Sequence, residues 1–292
     1  MKLGLYPGCS LKGGSREYKE SVAALAEAFE IELYEIPDWN CCGATAAHNL
    51  NHDLSLSLPA RIIALAEKEG LEEIVVPCAA CYSRLSITVH ELKNDENLRK
   101  KISEIIQIEY KGTIRILNII QMIQKYIGKK IQGRIINPFN YKVACYYGCL
   151  LVRPHQILKF DRPEDPQTMD VLLKEIGATP IDWAYKVECC GAGMSVSRTD
   201  IVAMLSGKIM KDAIDRGAEA IIVICPMCHS NLDMRRPEIN KYLCQKTDIP
   251  VIYISQAIGM AIGIDSLSLG LHRHFVPVSL PVKEKTVEEN QG

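Results

Sequence analysis

Apolar and polar positions along the chain alternate between two rhythms, and the whole alternation is written twice. Continuous apolar runs at "KLGLYP", "EIVVP", "YKVACYY" and "AIIVI" suit strands buried on both faces of a parallel sheet. Between them lie stretches of helical spacing. "SREYKESVAALAEAFE" follows a Ser15 cap, "PQTMDVLLKEIG" ends on a glycine stop, and "PARIIALAEKEG" and "IVAMLSGKIMKDAIDRG" also close on glycine. Short extended segments, "IELYEI" and "TPIDW", and a last strand and helix in each half, "TIRILNIIQMIQKYIG" and "PVIYISQAIGMAIG", complete the pattern, with Asn118 and Ser255 as helix caps. Alternating strands and helices predict an α/β fold of two tandem Rossmann-like units, each a parallel sheet flanked by helices and joined by right-handed crossovers.

The basic stretch "GKKIQGRIINPFN", residues 128 to 140, predicts the boundary, which gives a first domain over 1–130 and a second over 131–265. The remainder, 266–292, holds prolines and a polar end and reads as an extended C-terminal arm with a disordered tip.

Composition narrows the class. With 292 residues, 48% hydrophobic content and a formal net charge of -1, the chain is an ordinary globular protein and no general binder of nucleic acid. No apolar run reaches membrane-spanning length, and "MKLGLYPGCS" lacks the apolar core of a secretion signal, so a cytoplasmic location is expected. Twelve cysteines in a reducing compartment point to metal or redox chemistry before disulfides.

Ten of the twelve form one pattern repeated. Gly8-Cys9, Cys41-Cys42-Gly43 and Cys78-x-x-Cys81 correspond to Gly148-Cys149, Cys189-Cys190-Gly191 and Cys225-x-x-Cys228, with gaps of 31 and 35 residues in the first copy and 39 and 34 in the second. Neighbouring text agrees as well: "YPGC" with "YYGC", "PDWNCCG" with "IDWAYKVECCG", "EIVVPCAAC" with "AIIVICPMC". A lone "CC" is compatible with two small buried residues; a pair repeated in register with a preceding Gly-Cys and a following C-x-x-C is not explained that way. Because functional groups gather beyond the carboxyl ends of parallel strands, the five thiols of each unit are expected to converge. Zinc takes four ligands, and iron-sulfur clusters usually take four cysteines, so a fifth must bridge, stay free or impose another cluster shape. Cys145 and Cys244 have no counterparts and are expected to be ordinary thiols.

These two five-cysteine sets resemble the cysteine-rich "CCG" proteins, the family that includes the B subunits of methanogen heterodisulfide reductases, and the resemblance covers nearly the whole chain. It implies two non-cubane four-iron four-sulfur clusters, one held by Cys9, Cys41, Cys42, Cys78 and Cys81, the other by Cys149, Cys189, Cys190, Cys225 and Cys228, with some sulfurs bridging irons. It further implies reduction of the mixed disulfide of coenzyme M and coenzyme B in methanogenesis, each cluster providing one of the two electrons. Other members of the family serve thiol-dependent fumarate reductases or lactate and glycolate oxidation, so these remain open, as does an electron-relay or scaffold protein holding structural clusters or zinc.

No G-x-G-x-x-G or P-loop is present, so electrons must come from partner chains. The resemblance implies three such partners: a large chain carrying flavin and iron-sulfur centres, a small iron-sulfur chain and a hydrogenase. It implies neither membrane insertion nor nucleic acid. Both substrate halves would be anionic, which draws attention to Lys12, Arg16, Arg84, Arg153, Arg198 and Lys208, with Arg198 and Lys208 as substrate candidates. His48 and His229 are candidate proton donors. Gly191 and Gly193 would permit close backbone approach.

Overall fold

A computed structural model describes residues 1–44 and 46–280. Two four-stranded parallel sheets share one topology. The first has the order β2-β1-β3-β4, from β1 (Lys2–Leu5), β2 (Glu32–Glu35), β3 (Glu73–Val76) and β4 (Arg115–Asn118); the second has β6-β5-β7-β8, from β5 (Lys142–Tyr146), β6 (Thr179–Pro180), β7 (Ala220–Val223) and β8 (Val251–Tyr253). Corresponding registers join Leu5 to Val75 and Tyr146 to Val223. The apolar runs supply the central strands: all four residues of β7 and the last three of β3 are buried, as continuous apolar strands between helix layers must be.

Helices follow the expected segments with three informative differences. The helix expected from Pro59 starts at His52, because Asn51 caps it by accepting from Leu54 N at 3.0 Å and because Ser55, Leu56 and Ser57 are already buried. Pro59 is therefore mid-helix. Asn118 caps as expected, in a reciprocal box with Gln121. Ser255 does not: the helix Ile254–Ala261 is entered through Gln256, whose Oε1 accepts from Tyr253 N, and the Ser255 hydroxyl meets Ser21 at 2.7 Å. Ser15 likewise occupies a cap position without a capping bond.

The Ser21–Ser255 contact joins the two halves. Helix Arg16–Ala28 packs against helix Ile254–Ala261, and Tyr18 stacks on Tyr253 with ring centroids 3.9 Å apart. One apolar core runs through both halves. Within 128–140, Ile131 and Phe139 are buried, and Ile136 N and Asn137 N donate to Ala261 O, so this segment is pinned against the second unit.

Residues 266–280 turn through a short helix, Leu271–Arg273, instead of running extended. Leu269 is fully buried, Arg273 pairs with Glu20, and Asp233 accepts from the backbone of Phe275 and Val276. The expected disordered tip lies outside the described residues.

Candidate metal centres

In each half, three chain segments end at the same edge of the sheet. β1 runs into Gly8-Cys9, the segment after β2 carries Cys41-Cys42, and β3 delivers Cys78 and Cys81 to the start of helix Ala79–Asn94. Cys42 Sγ lies 3.0 Å from Cys81 Sγ. Cys190 Sγ lies 3.7 Å from Cys228 Sγ in the second half. Gly43 N donates to Cys41 Sγ at 3.4 Å and Gly191 N to Cys189 Sγ at 3.3 Å, so each vicinal pair is held by the same backbone bond. Gly43 and Gly191 have φ of +73° and +82°, which glycine adopts without strain.

Tyr6 and Tyr146 form a wall to these sites. Tyr6 OH donates to Asn40 O at 2.9 Å and Tyr146 OH to Glu188 O at 2.6 Å, each just before the vicinal cysteines. Burial raises the Tyr6 phenol first, and the neighbouring Cys81, Cys42, Cys41 and Cys9 add to it; burial likewise raises Tyr146, followed by Cys228, Cys190, Cys149 and Cys189. Four thiols of each set thus surround one protonated phenol. Trp39 sits edge-on to Tyr6 at 5.6 Å, and Trp183 lies 6.4 Å from Tyr146. The sequence signal for these residues is the shared "Y-x-G-C" and "D-W" text, which by itself assigns them no role. Asn231 is a further residue that the sequence pattern did not single out. It is buried one helical turn past Cys228 and donates to Cys190 O at 3.0 Å.

The two sites adjoin. Cys78 and Cys225 stand close enough between the two halves for each to shift the other's ionisation, Cys78 upward and Cys225 downward. Tyr18 OH, between them, donates to Ile224 O at 2.8 Å and lies 3.5 Å from Pro77 O, the residues preceding Cys225 and Cys78. Ser10, next to Cys9, contacts Met227 Sδ at 3.9 Å. The ten cysteines therefore make one patch. Cys9, Cys41 and Cys189 are exposed and Cys149 is half-buried, while the C-x-x-C thiols lie buried behind them.

Thiols packed this closely cannot all ionise. The neighbouring Cys41 thiol first, then Cys81, holds Cys42 down to about 3, and the neighbouring Cys149 thiol holds Cys189 down to about 6. Hydrogen bonding with Cys42 first, then burial, raises Cys41; Cys189 and burial do the same to Cys149. Cys225 is held down by Cys228 and Cys78. Ionising the remaining thiols requires several positive charges at the same place. Among the described residues no lysine or arginine bonds these sulfurs, so the donor set fits a group of metal ions, and five sulfurs per site exceed the four of a zinc centre.

The other expected residues are dispersed. Cys145 is buried in β5 and faces Asp170, and Cys244 is exposed. His48 is exposed. His229 is buried, stacked on Tyr253, with Nε2 3.1 Å from Val251 O and 3.2 Å from His274 Nδ1; burial holds its pKa well below the usual value. Its ring is committed to the domain interior. Arg198 pairs with Asp200, Arg153 with Glu164 and Lys12 with Glu35, while Arg16 and Lys208 are exposed. Arg84 stands three residues after Cys81, as Asn231 does after Cys228, and its Nη2 is closed from solvent without a hydrogen-bond partner among the described residues. Gly193 makes no close approach.

A family model for the cysteine-rich domain, CCG, matches residues 3–86 and 143–233, covering both cysteine sets. The chain belongs to the cysteine-rich CCG domain family. Among CCG relatives it is similar to the 8-methylmenaquinol:fumarate reductase membrane anchor subunit of Wolinella succinogenes, 29% identical over 93% of this chain and 95% of that one. It is equally similar to the B subunit of the ferredoxin/F(420)H(2)-dependent CoB-CoM heterodisulfide reductase of Methanosarcina acetivorans, 29% identical over 94% of each. The fold matches a hypothetical protein from Helicobacter pylori with a TM-score of 0.77 at 14% identity, covering 95% of this chain and about half, 52%, of that one. No helix among the described residues is long and apolar enough to cross a membrane.

Proposed function

We propose that this CCG protein belongs to an oxidoreductase complex and there reduces the mixed disulfide of coenzyme M and coenzyme B to two thiols, as the names of the Methanosarcina acetivorans and Methanosarcina mazei relatives suggest. The observation that carries this reading is the single patch made by two complete cysteine sets, bridged by Tyr18 between Pro77 O and Ile224 O and by Ser10 against Met227. Cleaving a disulfide takes two electrons and two protons, and two iron-sulfur centres, when bound, would supply the electrons singly.

The chain's own residues would act as follows. Cys9, Cys41, Cys42, Cys78 and Cys81 hold one centre and Cys149, Cys189, Cys190, Cys225 and Cys228 the other. Gly43 N and Gly191 N orient the vicinal sulfurs. The Tyr6 and Tyr146 rings wall the inner side, which leaves the side of Cys9, Cys41 and Cys189 for a substrate to approach. Lys208 and Arg16, exposed and without an ion pair among the described residues, are the basic groups left to meet substrate anions, since Arg198 is engaged by Asp200. His48 is the exposed histidine near the first vicinal pair. Electrons would arrive from flavin and iron-sulfur partner chains, and from a hydrogenase attached to them.

Anaerobic reconstitution tests this. The expected result is about eight iron per chain and cleavage of the coenzyme M–coenzyme B disulfide but not of glutathione disulfide by the chemically reduced protein. Stoichiometric zinc with little iron, or full iron with no disulfide cleavage, would overturn it. The Wolinella succinogenes relative supports a second reading, in which the chain passes electrons towards fumarate; it predicts full iron, no cleavage, and reoxidation of the reduced chain by fumarate only when a partner chain is present.

A further inference from the structure

Outside the cysteine patch, a cleft of about 630 Å³ lies between helix Ala79–Asn94, edge strand β4 and the Ile157–Leu158 turn of the second half. Its volume falls within the range of small-molecule sites. Among the described residues no cysteine, aspartate or glutamate lines it, whereas Lys93, Arg99, Lys111 and Arg115 all do. Arg115 is paired with Glu73 at 3.2 Å. Lys93, Arg99 and Lys111 have no ion pair among the described residues. Val89, Leu92, Ile114, Ile116 and Leu158 give the cleft an apolar side, and Ser86, His90 and Gln121 add polar groups to its lining.

Tyr110 also lines the cleft. It is 4% exposed, and its hydroxyl, closed from solvent, has no hydrogen-bond partner among the described residues. Burial first, then the carboxylate of Glu67, raises this phenol, which keeps it a donor. A buried hydroxyl without a partner is unfavourable, so a polar group offered to it would bind with that cost relieved. Glu67 itself is occupied, accepting from Lys111 N and Thr113 N.

We propose that this cleft binds a small organic phosphate, its head among Lys93, Arg99 and Lys111 with Tyr110 donating, and its apolar body against Ile114, Ile116 and Leu158. The cations supply the charge for a dianion, and the walls supply a place for carbon that inorganic phosphate would leave unfilled. Such a ligand would touch both halves and the helix that begins at the C-x-x-C of the first. The proposal is independent of disulfide reduction.

Calorimetric titration of the full-length chain with hexyl phosphate, inorganic phosphate and hexanol is the test. Hexyl phosphate should bind at one site, more tightly than inorganic phosphate, and hexanol should not bind. The variant K93Q/R99Q/K111Q should weaken hexyl phosphate about tenfold or more and Y110F about threefold, while K100Q, which neutralises a lysine paired with Glu96 outside the cleft, should leave it unchanged. Unaltered thermal unfolding of the variants would assign the loss to the cleft. Equal affinity for the triple variant and the parent chain, or hexanol binding as well as hexyl phosphate, would overturn the proposal.

Discussion

At the scale of single residues, the adjacency of cysteines matters less than what stands beside them. Gly148 precedes Cys149 with φ +72°, and a Cβ placed there would lie 3.0 Å from Cys228 Sγ. Gly8 is its counterpart, at 3.4 Å from Cys81 Sγ. A side chain at either position would strain the backbone by about 1–2 kcal/mol, and at Gly148 it would also press on the Cys228 thiol. Reconstituted Gly148→Ala should therefore hold about half the iron of the parent chain, with the first set still filled. Gly14→Ala, with open space around the added carbon, should hold it all. Iron analysis reads both. The cysteine positions were legible because a repeated non-local spacing needs no three-dimensional information. The partners Tyr6, Tyr146 and Asn231 were not, since a tyrosine or asparagine in an apolar stretch carries no signal until its hydrogen-bond acceptor is located.

Single elements repeat the same lesson. Strands came through from their apolar runs, and helices from their spacing, but Pro59 suggested a start that Asn51 and three buried residues moved seven positions earlier. Two-fold likeness between the halves also breaks at the segment before the second vicinal pair. In the second half the segment before Cys189 carries Lys186, buried, 3.0 Å from both Asp165 and Asp170, while its carbonyl accepts from Tyr147 N and Gly148 N. Pro7 takes the place of Tyr147 in the first half and has no N–H to donate. Lys186 thus ties the vicinal-cysteine segment to the end of β5. Lys186→Met should cost about 3–5 kcal/mol because it leaves the Asp170 carboxylate buried and uncompensated, as measured by denaturant unfolding. Burial alone would depress the Lys186 pKa, but the hydrogen bond to Asp165 and the charge of Asp170 outweigh it and raise the pKa above the usual value. That contribution is complete below the unfolded-state pKa of about 10.4 and is lost as pH rises through the folded-state value, so the parent chain, unlike Lys186→Met, should lose stability in strongly alkaline solution.

For the whole molecule, the relation between the halves decides what the chain can do. Tyr18 on Tyr253, Ser21 on Ser255 and Cys78 beside Cys225 bring the sites together, and residues 266–280 close over that seam. Leu269 in that segment is fully buried against Gly259, where an added Cβ would fall 2.3 Å from it, and Gln256 donates to Leu269 O. Leu269→Ala should cost about 2–4 kcal/mol and expose the seam to limited proteolysis earlier than the interior of either sheet. Equal protease resistance in variant and parent would show that the segment does not hold the halves together.

By itself the sequence determined the kind of fold, the duplication and the two cysteine sets, because hydrophobic periodicity and repeated spacing are properties of a line of residues. Only the tertiary structure decided that the two sets form one patch, that His229 is spent on the interior, and that, among the described residues, Arg84 keeps an unpartnered nitrogen and three unpaired cations border a cleft lined by a buried tyrosine. Each of these depends on which distant segments share a surface. That is fixed by packing two apolar sheets and their helices against each other, and no local pattern encodes it.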